Sequence, residues 1–383
     1  MFGENILIVV DSVLELIFSI QVRRSILAKC EVDIIVTNQS NHAYRFAENL
    51  KKQNVFSNVY FAYSSNFPHH YYSAQNKEEL SIAEYFNIVE SIIANKRYDS
   101  FITSELDIFS RTVYAYLKSE NQNIIPFFLA ESLHAYAEHG PITIGIERRI
   151  KAKDTLFRDF LLDIQGIIVN NAQKCKENFK YVIEYPPIDI NDLEMIEILN
   201  AVFNYEKGEC KIRKKIVYFE EALVFDGSFS NDVDIVDTIV KNVGKENVII
   251  KKHPREQGNR FQHLEVECYK RNDIPWELVV LNRDVENCLL VTNNSGSVYH
   301  PVFFGWYQSE VVMLCDICEC EIKESLRTIM DSYYNYLRQE IYRDKLFFVP
   351  NNVSEFIIKM QEFCRVNEML EGEDTNGELG SRE

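Results

Sequence analysis

The stretch that decides the fold lies between Glu220 and Ser297 and contains four short pieces of sequence. They read EEALVFDGSFS (220–230), IIKKHPRE (249–256), IPWELVVLN (274–282) and VTNNSGS (291–297). Each piece joins an apolar, strand-like run to a turn, and helical patterns separate the runs. Strands that alternate with helices in this way predict βαβ units and a parallel sheet.

The same alternation begins at the start of the chain and breaks once, near Tyr185-Pro186-Pro187. Two successive series of this kind predict an α/β protein with two doubly wound halves. The predicted strands of the first half are ILIVV (6–10), VDIIVT (32–37), YDSFITS (98–104), IIPFFLA (124–130) and GIIVNN (166–171). Those of the second half are KIVYFEE (215–221), NVIIKK (247–252), ELVVLN (277–282), CLLVTNN (288–294) and EVVMLCD (310–316).

These patterns predict four segments. Residues 1–187 form an N-terminal Rossmann-like domain, 188–210 a linker, 211–366 a C-terminal Rossmann-like domain, and 367–383 a disordered acidic tail. The tail is predicted to be disordered because it has few apolar residues to bury.

Composition limits the classes of function. The 383 residues are 46% hydrophobic and carry a formal net charge of −17. That charge argues against a protein that coats nucleic acid, because such binding depends on basic groups that meet phosphates. The nine cysteines are scattered, and Asp11 and Glu15 interrupt the first apolar run, so we expect no secretory signal and a cytoplasmic protein. No uncharged apolar run reaches eighteen residues, so no membrane span is predicted.

Metal chemistry is not predicted. Cys315, Cys318 and Cys320 have metal-like spacing, but a tetrahedral zinc site needs a fourth ligand and no nearby Cys or His pair offers one. Asp232-Val233-Asp234 falls in a predicted helix, where the two carboxylates would not converge. We therefore expect no metal and no required cofactor.

His253-Pro254 follows a predicted buried strand. An imidazole at the carboxyl end of such a strand can neutralise or protonate a departing phosphate, because histidine titrates near neutral pH. Pro254 fixes the local turn. A histidine simply packed at a strand end is the structural alternative.

Asp226-Gly227 precedes that histidine by one helix and one strand. A carboxylate here can act as a general base, with Gly227 permitting a tight backbone path. An ordinary Asp-Gly turn is the alternative. Glu131, at the end of a strand in the first half, is a rival acid.

Ser295 and Ser297 open a predicted helix after the strand CLLVT. Hydroxyls and free amide groups at a helix start bind phosphate, although an N-cap serine explains them equally well. Glu277 carries a carboxylate suited to two vicinal ribose hydroxyls, or it is an exposed strand-edge residue.

In this order the acid-Gly pair, the His-Pro, the lone Glu and the hydroxyl pair resemble glycosyltransferase family 52, the bacterial lipooligosaccharide sialyltransferases. The resemblance is best over residues 215–305. It implies a GT-B fold, in which two Rossmann-like doubly wound domains face a cleft. It also implies an inverting, metal-independent glycosyltransferase that moves sialic acid from CMP-N-acetylneuraminic acid to a terminal galactose of a lipooligosaccharide or capsule precursor.

The resemblance also implies roles for the residues. Asp226 is the expected base and His253 the partner of the leaving phosphate. The donor is expected to be bound by Glu277, Ser295 and Ser297. Gly227, next to Asp226, and Pro254, next to His253, are expected to contact it as well. The acceptor is expected on the first domain, where Ser104, Glu105, Glu131 and His134 lie at or near strand ends.

Several alternatives stay open. Where the family pattern has adjacent hydroxyl residues, Gly296 separates the two serines here. A different nucleotide sugar, or a non-catalytic scaffold with the same fold, would fit the same patterns. A nucleotide-sugar donor and a glycan acceptor are the expected partners, and nucleic acid is not. Peripheral contact with the inner face of the cell membrane and a homodimer are left open.

Overall fold

The computed structural model of the chain describes residues 2–39, 42–64, 81–93, 96–130, 133–136, 140–151, 157–209, 211–220, 231–253, 258–293, 298, 300–301, 304–306, 310–314, 316–317, 335–336, 338–339 and 346–377. These residues form two compact units, Met1–Tyr205 and Glu206–Glu383. No helix in the described ranges is long and apolar enough to cross a membrane.

The first unit is built on a sheet of seven parallel strands in the order β3-β2-β1-β4-β5-β6-β7. The strands are β1 (Asn5–Val10), β2 (Glu31–Thr37), β3 (Asn58–Ala62), β4 (Ser100–Thr103), β5 (Ile125–Leu129), β6 (Gly166–Val169) and β7 (Tyr181–Glu184). The helices are α1 (Val13–Arg24), α2 (Ala43–Gln53), α3 (Ile82–Ile93), α4 (Ile108–Glu120), α5 (Pro141–Lys151), α6 (Asp159–Asp163) and α7 (Leu193–Phe203).

The second unit repeats the plan with six parallel strands in the order β10-β9-β8-β11-β12-β13. The strands are β8 (Ile216–Phe219), β9 (Val248–Lys251), β10 (Glu267–Cys268), β11 (Leu289–Thr292), β12 (Val311–Met313) and β13 (Phe347–Phe348). Its described helices include α8 (Asp232–Val243), α9 (Trp276–Leu281) and α10 (Val353–Gly377). The predicted alternation of strands and helices in two doubly wound halves is confirmed.

The central strands are buried from end to end, which explains their continuous apolar sequences. In β1 all of Ile6–Val10 are buried, and so is every residue of β8 and β11. Helices cover both faces of a doubly wound parallel sheet, so its strands show no alternation of polar and apolar residues. The core of each unit therefore lies directly against its sheet.

The predicted strand ELVVLN is wrong, because Trp276–Leu281 form helix α9. Every residue of this helix is buried, and a short, fully buried apolar run has no period that distinguishes helix from strand. Only a few residues separate the run from β11. A parallel crossover needs a dozen or more residues, so a parallel strand at this place could not have joined β11 directly.

The stretch predicted as a linker, 188–210, contains helix α7 of the first unit. Asp192 caps this helix by accepting a hydrogen bond from the Met195 amide at 2.9 Å. The rings of Phe203 and Phe46 lie 4.8 Å apart, which packs α7 against α2. The predicted tail also differs from the structure, since α10 continues to Gly377 and 378–383 lie outside the described residues.

A buried carboxylate joins β2, β3 and β4 near their amino ends. Asp33 is fully buried and accepts hydrogen bonds from the Tyr98 hydroxyl at 2.7 Å, the Lys96 ammonium at 2.9 Å and the Asn58 amide at 3.0 Å. Burial, with the Asp33 carboxylate beside it, raises the pKa of Tyr98 far above its usual range. The hydroxyl therefore stays protonated and continues to donate.

We predict that Asp33→Ala lowers the free energy of unfolding of the first unit by about 1–3 kcal/mol, the cost of leaving a buried donor such as Tyr98 unsatisfied. The loss should appear in the denaturant transition followed by circular dichroism. Tryptophan fluorescence should not report it, because both tryptophans, Trp276 and Trp306, belong to the second unit.

The matched control is Asp159→Ala. That carboxylate is 67% exposed and pairs with Lys118 at 3.1 Å. Exposed ion pairs contribute roughly 0–1 kcal/mol, so the control should lose less. Equal losses for the two variants would contradict a special role for Asp33.

Candidate functional site

The second unit has a topological switch point at β8. The chain goes from β8 outward to β9 on one side and returns on the other side to β11. Because the strands are parallel, their carboxyl ends meet at one edge of the sheet, which is where open α/β sheets bind ligands. Glu220, His253 and Asn293 follow these three strands and so belong to that edge.

His253 lies two residues beyond the end of β9 and is half-buried. Its backbone amide donates a hydrogen bond to Oε2 of Glu220 at 3.0 Å. Its carbonyl oxygen accepts one from the side-chain amide of Asn272, also at 3.0 Å. The backbone of the predicted catalytic histidine is thus bound by side chains from two other segments.

Glu220 belongs to a carboxylate–guanidinium–carboxylate cluster at the same edge. Its Oε1 accepts hydrogen bonds from Nε of Arg260 at 3.2 Å and from Nη2 of the same side chain. Nη1 of Arg260 lies 2.6 Å from Oδ2 of Asp232, in the first turn of α8. Burial raises the pKa of Asp232, and the Arg260 charge opposes that rise. Both carboxylates are buried, so Arg260 neutralises one of the two charges.

Sequence reasoning missed Glu220 and Arg260 as members of the site. Glu220 lies within the predicted strand KIVYFEE, and in the structure it directly follows β8. The missed signal was that a charged residue at the end of a buried strand needs a partner. Arg260 carries no local signal, because its partners lie 40 and 28 positions away along the chain.

Glu277 lies in the first turn of α9 and is only 2% exposed. Its Oε1 is 3.7 Å from Nδ1 of His300, which is equally buried. The carboxylate predicted to hold a ribose therefore lies among buried protein groups, and the alternative of an exposed strand-edge residue is wrong.

Lys251, the last residue of β9, is buried close to this carboxylate. Burial lowers the pKa of Lys251 to about 8, while the charges of Glu277 and Asp273 act in the opposite direction. Its ammonium group donates to the carbonyl of Asn272 at 3.4 Å and lies 5.3 Å from the centre of the Tyr269 ring. Lys251 and Glu277, with His300 beside the glutamate, are thus a second set of buried titratable side chains next to the His253 segment.

Most of the other predicted site residues lie outside the described residues. This holds for six of them: Glu131, Asp226, Gly227, Pro254, Ser295 and Ser297. The described part of His134 is its backbone, in the single turn of 3₁₀ helix Leu133–Tyr136. Their roles stay predictions.

The carboxyl edge of the first sheet carries a different set of groups. Asp11 follows β1, the strand at the switch point, and accepts a hydrogen bond from the hydroxyl of Thr37 at the end of β2. Ser104 follows β4 and is nearly buried, and its hydroxyl has no hydrogen-bond partner among the described residues. Sequence reasoning named Ser104 and missed Asp11, although Asp11 directly follows the strand ILIVV.

Three of the solved structures that are similar to this chain have TM-scores between 0.50 and 0.53. For UGT89C1 of Arabidopsis thaliana complexed with UDP-L-rhamnose the TM-score is 0.53, at 12% identity, over 95% of this chain and 91% of that one. For an α/β-galactoside α-2,3-sialyltransferase of the luminous marine bacterium Photobacterium phosphoreum the TM-score is 0.51, at 10% identity, over 91% of this chain and 98% of that one. For the glycotransferase of kitacinnamycin the TM-score is 0.50, at 12% identity, over 97% of this chain and 94% of that one.

These likenesses confirm the predicted fold class, since the two parallel-sheet α/β units match GT-B glycosyltransferase structures. No protein-family model and no curated protein sequence matches the chain. Membership in glycosyltransferase family 52 therefore stays a prediction.

The buried Lys251 predicts a pH dependence of stability. Below pH 8 the folded and unfolded chains both carry the charge, and the folded state bears the full cost of burying it. Between about 8 and the usual 10.5 the folded chain loses its proton first, so the contribution of Lys251 to stability rises with pH. Lys251→Met should remove a rise of at most about 3 kcal/mol.

The measurement is urea unfolding followed by tryptophan fluorescence, which reports the second unit, at pH 7.5 to 10. The free energy of unfolding of the wild type minus that of Lys251→Met should increase over this range. Lys252→Met, which removes the same charge from the next residue, is the control. If the wild-type free energy of unfolding minus that of the variant rises equally with pH for both variants, the effect comes from the loss of any one positive charge and not from the burial of Lys251.

Proposed function

We propose that the chain is an inverting, metal-independent glycosyltransferase. In this proposal it transfers N-acetylneuraminic acid from CMP-N-acetylneuraminic acid to a terminal galactose of a bacterial surface glycan, a lipooligosaccharide or a capsule. The observation that carries the proposal is the position of His253. It follows β9 at the switch-point edge of the second sheet, with its backbone bound by Glu220 and Asn272. The GT-B fold supports the reaction class.

The proposed reaction is a single displacement at the anomeric carbon of the sialic acid. The acceptor hydroxyl oxygen forms the new bond to this carbon while Asp226 takes the hydroxyl proton. The bond between the carbon and the phosphate oxygen breaks, and CMP leaves with the electron pair. His253 meets the charge that develops on the phosphate, helped by Ser295 and Ser297. Groups aimed at developing charge are usually the largest catalytic contribution.

The proposed role of Glu277 needs a rearrangement of its surroundings. Its carboxylate would accept hydrogen bonds from the ribose, yet it is 2% exposed and faces His300. In this proposal donor binding opens the space beside α9. The first domain supplies the acceptor contacts, with Glu131, His134 and Ser104 as candidates.

A UDP-sugar is the second candidate donor, because UGT89C1, which has the same fold, is complexed with UDP-L-rhamnose. None of the described side chains dictates cytosine. A non-catalytic scaffold is disfavoured by the presence of the Asp226, His253 and serine set in the sequence.

Thermal shift distinguishes the donors. A nucleotide that binds only the native state at 100 times its dissociation constant stabilises it by about 2.7 kcal/mol. For a unit of this size that is roughly 5–10 °C in Tm. We expect CMP to raise Tm and UDP and GDP to have little effect, with adenosine monophosphate as the control. A response to UDP alone would favour the second candidate.

The base is tested with two isosteric variants. We expect Asp226→Asn to abolish transfer while CMP binding stays nearly intact, because the variant loses the general base but keeps every proposed contact with the donor. Glu131→Gln should mainly raise the KM of the acceptor. Steady-state kinetics with CMP-N-acetylneuraminic acid and lactose measure both. An inactive Glu131→Gln beside an active Asp226→Asn would move the base to the first domain.

A further inference from the structure

The backbone ladder between β8 and β9 ends just before His253. In its last step, the Glu220 amide donates to the Lys251 carbonyl at 3.0 Å. The next donor of this segment that points toward β8 is the amide of His253, and it is the carboxylate of Glu220 that accepts it, at 3.0 Å. Glu220 therefore extends the ladder by one rung with its side chain.

A second contact holds the other backbone group of the same residue. The side-chain amide of Asn272 donates to the His253 carbonyl at 3.0 Å, and the Asn272 carbonyl accepts from the buried ammonium of Lys251. Residue 254 is a proline, which has no amide hydrogen to continue a ladder. The side chains of Glu220 and Asn272 thus bind both backbone polar groups of His253.

Arg260 fixes the orientation of the Glu220 carboxylate. Two of its nitrogens donate to Oε1 of Glu220, which leaves Oε2 for the His253 amide, and a third pairs with Asp232. Burying such ion pairs is costly and is poor evidence of a gain in stability. The cluster makes more physical sense as a device that sets one geometry.

We propose that Glu220 and Asn272 are positioning residues for His253, and that Arg260 acts by holding Glu220. This inference rests on the proposed function, in which His253 faces the leaving phosphate. The Glu220 and Asn272 side chains, which we call the two clamps, act through their hydrogen bonds to the His253 backbone. A displacement of a reacting group by about 1 Å costs on the order of 10²-fold in rate, so loss of either clamp should lower turnover without weakening donor binding.

The kinetic test uses Glu220→Gln and Asn272→Ala with CMP-N-acetylneuraminic acid and lactose. We expect kcat to fall roughly 10- to 100-fold while the KM for the donor changes less than about threefold. The matched controls are Asp284→Asn, whose carboxylate accepts the Gly208 amide at 2.7 Å, and Asn247→Ala, whose amide donates to the Val243 carbonyl at 2.7 Å. Both controls should keep kcat within twofold.

A double-mutant cycle separates positioning from general support of the fold. His253→Ala alone should lower kcat by on the order of 10²–10⁴. If the clamps act through His253, adding Glu220→Gln or Asn272→Ala to His253→Ala should cost no further activity. Fully additive losses would overturn the inference. Should Glu220→Gln fail to fold, Asn272→Ala carries the test, since it removes no charge.

Nuclear magnetic resonance gives a readout that needs no activity. The imidazole resonances of the eight histidines are recorded with ¹³C-labelled histidine, and His253 is assigned by its loss in His253→Gln. Both clamp variants should shift or broaden the His253 resonance, and both controls should not. An unmoved resonance overturns the inference. A moved resonance without transfer of sialic acid would refute the proposed function and keep the positioning role.

Discussion

The parallel ladders on both sides of the first strand of each unit constrain everything else in the molecule. In the first unit Ile6 is level with Val32 of β2 and with Ser100 of β4. In the second, Ile216 is level with Val248 of β9 and Leu289 of β11. Strands that start level and run parallel also end close to the same edge. The polar residues that follow them are brought together there without any signal of their own in the sequence.

That constraint also explains why charges are buried at the edge of the second sheet. Its central strands are buried to their last residues, so a side chain at a strand end begins in the core. Lys251 and Glu220 are in this position, and both are charged. An ionised group so placed must have a partner or change its protonation. Glu220 has Arg260, whereas the pKa of Lys251 is lowered by burial although the charges of Glu277 and Asp273 oppose that shift. Such clusters gather at functional sites more often than elsewhere.

The sequence was sufficient for the strands next to the switch points, because these are apolar from end to end. It did not predict the edge strands β3 and β7, most of whose residues are only partly buried or exposed. ELVVLN was misassigned because burial on all sides removes the periodicity on which the assignment relies. Chain length was the better guide there, since too few residues follow the run to complete a crossover.

For the candidate site, residue type and order along the chain indicate His253 as a candidate, but they do not indicate the side chains that bind its backbone. A side chain that binds a backbone group is not part of a sequence motif, because several polar residue types of suitable length can make the same hydrogen bond. Glu220 lies near the end of a predicted strand, but nothing in the sequence pattern indicates that Asn272 binds His253. Arg260 acts across a separation along the chain that only the folded sheet closes.

The two switch-point edges differ in chemistry, and the difference agrees with the proposed reaction. The edge of the first sheet offers a carboxylate and hydroxyls, Asp11 with Thr37 and then Ser104. The edge of the second has His253, whose backbone is bound by Glu220, and Arg260, whose guanidinium is paired with the carboxylates of Glu220 and Asp232. A glycan presents hydroxyls, which suit short neutral and acidic partners. A nucleotide sugar presents a phosphate on which negative charge grows during transfer, and in the proposed reaction His253 is the group that meets this charge. One fold used twice thus supplies two edges with different side chains at the strand ends, and under the proposed function the second would bind the donor and the first the acceptor.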